Sequence, residues 1–231
     1  MHTGRAVGVL REEIVAGELV AGAPLVETAL AEALGVSRGP IRNALTELEG
    51  EGLVRTERNG RSLVAGFTQA DLTDVLAVRL EIESLAIRWG IERDCDPEPV
   101  RAAFEAMLAE GASTARLIEL DMGFHRSLLE FSSSRALLHA WLRLAPILEA
   151  VITVGNRRLG ARDGTADFER IITAHRPVTQ AVLRKDAALA SRLLAKQFGV
   201  TAEMYRVDSG PGPPTVESNE SAAEPDAVLE Q

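Results

Sequence analysis

The sequence predicts a mostly α-helical protein: an N-terminal winged helix-turn-helix over residues 1–66, then an antiparallel all-helical bundle over 67–207. Three observations carry that reading. Residues 30–48 show two helical stripes of apolar side chains broken at Gly35. An Asn59-Gly60 pair sits between two short apolar runs, which is a hairpin signal. Beyond Gly66 the apolar residues recur at helical spacing and no strand-like alternation returns. A length of 231 residues fits two small domains.

In chain order, Val7, Leu10, Ile14 and Val15 outline a first amphipathic helix that ends at Gly17. Leu30, Ala31 and Leu34 mark the second. Gly35 suits a left-handed cap after it, Val36 can plug the gap between helices, and Ser37 can N-cap the third, where Pro40 is tolerated in the first turn. Ile41, Ala44, Leu45 and Leu48 give that third helix its buried stripe. Leu53-Val54-Arg55-Thr56 and Ser62-Leu63-Val64-Ala65 then form the wing around Glu57–Arg61.

Thr68 is a candidate N-cap for the bundle, whose helices are predicted near 69–92, 97–110, 113–131, 134–155, 165–184 and 187–206. Pro97, Gly111, Ser132-Ser133-Ser134 and Gly160–Gly164 supply the breaks, and short links imply antiparallel neighbours. Trp89 and Trp141 are expected in the core.

Charge matters by location. The net charge is -9, which on its face opposes a nucleic-acid partner, yet Asp208, Glu217, Glu220, Glu224, Asp226 and Glu230 all fall in 208–231, which has no Lys or Arg. That segment, with Gly210-Pro211-Gly212-Pro213-Pro214, lacks the apolar residues for a core and reads as a disordered acidic tail. The N-terminus has no long apolar run, because Arg11, Glu12 and Glu13 interrupt it, so a cytoplasmic protein without a membrane partner is expected. A single cysteine, Cys95, excludes an intrachain disulfide and a multi-cysteine zinc site, and is expected to be semi-buried.

A second helix of a helix-turn-helix laid in a major groove turns its N-terminal residues to base edges and phosphates of double-stranded DNA. Ser37, Arg38, Gly39 and Arg42 hold those positions, and an arginine can grip guanine O6 and N7 with two hydrogen bonds. Arg58, Asn59, Gly60 and Arg61 at the wing tip are placed to meet the minor groove or the backbone.

These residues carry a resemblance. Gly-Glu-Leu at 17–19, the run Leu-Ala-Glu-Ala-Leu-Gly-Val-Ser-Arg-Gly-Pro-Ile-Arg-Asn-Ala-Leu at 30–45 and Glu-Gly-Leu-Val at 51–54 resemble the DNA-binding domain of GntR-family repressors. Gly39 stands where that family usually has Thr, and Asn43 where it has Glu; Gly39 removes a hydroxyl that could meet phosphate, so the operator preference is expected to differ from relatives.

In the bundle, polar residues sit on stripes that should be buried. Asp121 and His125, four apart, share the face of Leu117, Ile118, Phe124 and Leu128. His175 lies among Ile171, Val178 and Val182, Gln197 among Leu193, Leu194, Thr201 and Met204, and Arg79 among Leu72, Val75, Leu76, Ile82 and Ala86. Buried without partners they would be costly, so they are expected to converge on one another, on a metal or on an anionic ligand. An Asp-x-x-x-His pair with a distant inward His preorganises a chelate suited to Zn, Ni or Mn. His2 and His139 have no such setting and are read as solvated or ordinary helix residues.

Asp-Met-Gly-Phe-His at 121–125, Ala-His-Arg-Pro-Val at 174–178 and the run from Asp186 resemble the FadR C-terminal (FCD) effector domain of the same family. That resemblance implies a divalent ion held by an Asp and three His beneath a cavity for a small carboxylate. Asp121, His125 and His175 match the motif, while the third His position is Gln197. Arg79 matches the arginine of the first effector-domain helix; it pairs either with a ligand carboxylate or with Glu83 or a neighbouring helix. The expected protein is a homodimeric repressor whose grip on its operator is modulated by a small organic acid. A dimeric DNA-binding protein without metal or effector is the alternative. A metal-dependent hydrolase fits less well, since the chain has no His-Glu-x-x-His, no Gly-rich phosphate loop and no Gly-x-Ser-x-Gly turn.

Overall fold

The computed structural model describes residues 3–109, 114–158 and 164–205. His2, Gly111, Gly160 and the acidic 208–231 segment lie outside the described residues.

The N-terminal part runs α1 (Thr3–Val15), α2 (Glu27–Leu34), α3 (Arg38–Gly50), β1 (Val54–Thr56) and β2 (Ser62–Val64). Gly35 closes α2 at φ 63°, ψ 38°, a left-handed conformation that costs a glycine nothing. Ser37 takes the extended N-cap backbone before α3, but its side chain makes no capping bond. Ile41, Ala44, Leu45 and Leu48 of α3 pack on Ala6, Val7, Leu10 and Ile14 of α1 and on Leu53, Val54 and Val64. Arg11 of α1 adds a fork to Glu51 at 2.7 and 2.6 Å. The strands pair antiparallel with Val54 opposite Val64 and Thr56 opposite Ser62, and Gly60 turns the wing at φ 80°. Pro24 bridges to Leu63, so the segment before α2 joins the ribbon. No alternation in Ala21-Gly22-Ala23-Pro24 signals this.

The second part comprises α4 (Gln69–Glu92), α5 (Glu98–Ala109), α6 (Thr114–Phe131), α7 (Arg135–Arg158), α8 (Gly164–Leu183) and α9 (Ala187–Met204). Thr68 opens α4 through a capping box: its backbone N donates to Asp71 Oδ2 at 2.7 Å, and Asp71 N donates to Thr68 Oγ1 at 3.3 Å. Helix α4 packs on α6, α7 and α9, while α5 bridges α6 and α8. Trp141 is fully buried and Trp89 packs at the edge of the same core. Cys95 is half-buried and His139 exposed. By length and composition α7 could cross a membrane. Its face of Leu137, Trp141, Leu148 and Val151 is buried in the bundle.

Helix α1 belongs to both cores. Val15 at its end packs with the bundle, Arg157 Nη2 at the end of α7 donates to Glu12 Oε2 at 2.6 Å, and Arg158 Nη2 donates to the Ala16 carbonyl at 2.7 Å. Periodicity shows which face of α1 is apolar; it does not show that the helix serves two partners.

Candidate functional site

The five polar residues that the sequence places on buried stripes meet at one cavity. Helix α4 contributes Arg79, α6 Asp121 and His125, α8 His175, and α9 Gln197. His125 and His175 are buried, and Asp121 keeps 15% of its side chain exposed. Their ring orientations are fixed from behind. His125 Nδ1 lies 2.7 Å from Glu83 Oε2, and His175 Nδ1 lies 2.7 Å from the Ile171 carbonyl. Both partners only accept, so each Nδ1 carries a proton and each ring turns its Nε2 inward.

Those inward atoms converge. The two Nε2 atoms are 3.2 Å apart, Asp121 Oδ1 is 3.2 Å from His175 Nε2, and the three candidate ligand atoms lie within 4.8 Å of one another. Burial, with the Arg79 charge second, pushes His125 below its ordinary value and keeps it neutral. Burial works to raise the Asp121 carboxyl, but the His175 hydrogen bond, with the Arg79 charge behind it, outweighs that and holds it below the usual carboxylate range. The result is a carboxylate and two inward ring nitrogens gathered where one proton, N–H or cation can serve them.

Gln197 answers with its amide. Nε2 lies 3.0 Å from His175 Nε2 and 3.3 Å from His125 Nε2, while Oε1 is buried with no hydrogen-bond partner. Rotating the amide by half a turn exchanges the two atoms, which gives the site a choice between an N–H donor and a carbonyl ligand. Bonds of about 2.0–2.1 Å to a tetrahedral ion set ligands about 3.3 Å apart, close to the observed N···N separation. The residues present therefore fit a divalent metal, to which Gln197 Oε1 would add a neutral oxygen once the amide is rotated.

Glu83 organises the other side. It is fully buried, accepts from Arg79 Nε at 2.8 Å through Oε1 and faces His125 through Oε2. The Arg79 guanidinium lies 4.3 Å from the Phe198 ring centroid and 5.3 Å from that of Trp141, and Nη2 is left without a partner. Of the two alternatives for Arg79, the Glu83 pair is made. Sequence reading weighed Glu83 only as a mate for Arg79 and missed its hold on His125. The signal was its place four residues after Arg79 on the same buried stripe.

The cavity, of about 440 Å³, extends past this cluster to Asn156, Thr173, Pro177, Thr201 and Tyr205. Pro177 has no N–H to give the Thr173 carbonyl, and both residues line the cavity. Tyr205 Oη donates to Asn156 Oδ1 at 2.8 Å.

In the helix-turn-helix, Ser37 at the N-cap and Arg38, Gly39 and Arg42 on the first turns of α3 lie exposed. A Cβ on Gly39 would meet nothing of the chain within 4 Å, so packing does not require that glycine. Arg58, Asn59, Gly60 and Arg61 are exposed at the wing tip, where Asn59 Oδ1 accepts from Arg61 N at 2.9 Å. Glu27 of α2, which sequence reading did not single out, joins both recognition-helix arginines, with contacts at 2.9 Å to Arg38 and 3.1 Å to Arg42.

Residues 3–64 match the bacterial regulatory proteins of the gntR family, and residues 74–198, more than half of the chain, match the FCD domain. The chain is a GntR-family regulator with an FCD domain. Among curated relatives of this GntR protein, the gluconate operon transcriptional repressor of Bacillus subtilis (strain 168) is 28% identical over 198 residues, covering 82% of this chain and 79% of its own. The HTH-type transcriptional repressor GlaR of Escherichia coli (strain K12) is 26% identical over 197 residues, covering 82% and 89%. Solved structures agree on the fold. Lar of Listeria monocytogenes superposes with a TM-score of 0.63 at 17% identity, over 89% of this chain and 96% of that one. E. coli McbR/YncC gives 0.59 at 18% identity, over 88% and 98%. This GntR protein is a DNA-binding transcriptional regulator, and its relatives are regulators rather than enzymes.

Proposed function

We propose that this regulator represses from a double-stranded operator and that a small organic acid, bound in the bundle cavity, changes its operator affinity. The observation that carries the proposal is the unpartnered Arg79 Nη2 on the wall of a cavity that also holds Asp121, His125, His175 and Gln197. A carboxylate satisfies that nitrogen with a charge-assisted hydrogen bond. Two relatives take their names from the gluconate operon, which supports an acid as the effector class.

Asp121, His125, His175 and, through its rotated amide, Gln197 are the residues that would hold a divalent ion, with Zn, Ni and Mn the candidates. Bound there, the ion supplies positive charge to anchor an oxygen of the effector. Glu83 and the Ile171 carbonyl fix the two imidazoles, and Arg79 orients the acid. Ser37, Arg38, Gly39 and Arg42 enter the major groove, while Arg58, Asn59, Gly60 and Arg61 meet the minor groove or backbone. A homodimer presents two such heads to a near-palindromic operator in the cytoplasm; exposed Val78 on α4 and Leu142 on α7 are the apolar surface a partner bundle would cover. Residues 1–66 act as the reading domain and 67–207 as the sensing domain. An effector that binds one arrangement of the heads better than another shifts DNA affinity by the difference.

The test is a thermal-shift screen of organic acids, gluconate included, on chelator-treated and metal-loaded protein, followed by gel shifts with operator duplex. A stabilising acid should also change operator affinity, and Arg79→Met should abolish both effects. If no acid does either, the dimer-only alternative is the correct reading.

A further inference from the structure

Glu27 is the acidic residue in the first turn of α2, whose N-cap, Val26, makes no side-chain capping bond. Its carboxylate lies across the helix-turn-helix against the start of α3. Arg42 Nε donates to Oε1 and Arg42 Nη2 to Oε2, both at 3.1 Å, so one whole edge of the guanidinium is gripped by the two carboxylate oxygens. Arg38 Nη2 donates to Oε2 at 2.9 Å. Both arginine side chains nevertheless remain mostly exposed, at 60% for Arg38 and 65% for Arg42.

A guanidinium has five N–H donors. The clamp on Arg42 uses the Nε hydrogen and one Nη2 hydrogen. The other Nη2 hydrogen and the two on Nη1 remain, and one from each of these nitrogens forms the end-on fork next to the clamped edge. Such a fork matches O6 and N7 of guanine. A flexible arginine loses rotamer freedom when it binds a base; one already held along its other edge has lost much of it beforehand. Pairing also holds the Glu27 carboxyl down at about 2, so it is ionised throughout the neutral range.

We infer that Glu27 is a specificity-determining positioning residue for operator recognition: by clamping the Nε–Nη2 edge of Arg42, it aims the end-on donors of that arginine at a guanine in the major groove. Its negative charge has a second effect. Set beside the two arginines of the reading face, it weakens attraction to phosphates in general, so sequence-independent binding falls while the guanine contact stays. Specificity rises from both sides. The inference rests on the proposed docking of α3 in the major groove.

The experiment uses the full chain and an operator duplex selected by the wild-type protein from a randomised double-stranded pool, with an unrelated duplex of equal length for comparison. Wild type, Glu27→Gln, Arg38→Ala, Arg42→Ala and the Glu27→Gln/Arg42→Ala double variant are titrated against both at several salt concentrations, and melting temperatures are recorded for each. Glu27→Gln keeps the shape of the side chain and removes the charge. The operator-to-unrelated affinity ratio should fall at least about tenfold in Glu27→Gln. Affinity for the unrelated duplex should rise, and the slope of log K against log salt should steepen by about one. In the Arg42→Ala background, Glu27→Gln should no longer change the ratio.

An unchanged ratio in Glu27→Gln overturns the inference and leaves the docking reading standing. An equal fall in the Arg42→Ala background also overturns it, because Glu27 then acts by some route other than Arg42. If Arg38→Ala and Arg42→Ala both leave operator binding intact, the docking of α3 itself is wrong and the inference goes with it.

Discussion

The imidazoles of His125 and His175 face each other with their Nε2 atoms 3.2 Å apart, each held from behind through Nδ1, by Glu83 and by the Ile171 carbonyl respectively. Two ring nitrogens do not rest at that distance unless a proton or a cation serves both. The prediction is that protein purified without chelator carries a divalent ion, read by elemental analysis. His175→Ala should abolish occupancy. Gln197→His, which replaces a neutral oxygen with a stronger nitrogen ligand, should raise it. Free ion at a hundred times its Kd should stabilise wild type by about 2.7 kcal/mol. Metal in neither wild type nor Gln197→His would mean that the Gln197 amide alone satisfies the two rings.

Glu83 is the residue whose loss should be felt most within the bundle. It pairs Arg79 at 2.8 Å with both side chains essentially inaccessible, at 2% and 0% exposure. Glu83→Ala leaves a buried guanidinium without its counter-charge and His125 without its acceptor, and should cost about 3–5 kcal/mol in urea denaturation. Glu83→Gln keeps an acceptor for one of the two partners and should cost less. Equal losses in the two variants would argue that the charge of Glu83 has no structural part.

Two glycines in helices should respond to alanine with opposite signs. A Cβ on Gly155 of α7 would stand 1.9 Å from Cδ1 of Tyr205, a ring already buried and tied to Asn156. Gly155→Ala should therefore destabilise by about 1–3 kcal/mol as the ring is displaced. On Gly199 of α9 the same atom meets nothing within 4 Å. Gly199→Ala should stabilise by up to about 1 kcal/mol through helix propensity. Matched melting curves decide the point; a shift of the same sign in both would refute the contact at Gly155.

The Glu27 clamp predicts a pH signature. The side-chain hydrogen bonds from Arg42 and then Arg38 lower its carboxyl from 4.5 to about 2. A depressed carboxyl contributes stability that is present above its unfolded value and is lost as pH falls toward the folded one, so the clamp should hold at pH 5 and weaken between about 4.5 and 2. Carbon-13 chemical shifts of the Glu27 carboxyl should titrate near the lower value. Arg42→Ala should move the midpoint up toward 4.5. A wild-type midpoint already at the free-glutamate value would contradict the clamp.

Much of this protein can be read from one dimension. The 3.6-residue period located the helices of the bundle to within a few residues, because each buries one face and periodicity records which. Gly35 and Thr68 marked helix ends, since a left-handed cap and a capping box each need particular side chains at particular places. The same logic put Asp121, His125, His175, Gln197 and Arg79 on buried stripes, where polar groups must find partners.

What the sequence could not supply is which stripe faces which. Glu83 could be read as a mate for Arg79 because four residues make one helical turn; its hold on His125 spans 42 positions and depends on α4 packing against α6. Glu27 and Arg42 meet only because α2 crosses α3, and no local preference marks an exposed glutamate as a clamp. Helix α1 shows one apolar face to a reader of its period, yet its end also packs on α7. The sequence by itself determined the family, the helices and the inward polar set. The tertiary structure decided the pairings, because a helix fixes the direction of each side chain while only packing brings another helix within bonding distance of it.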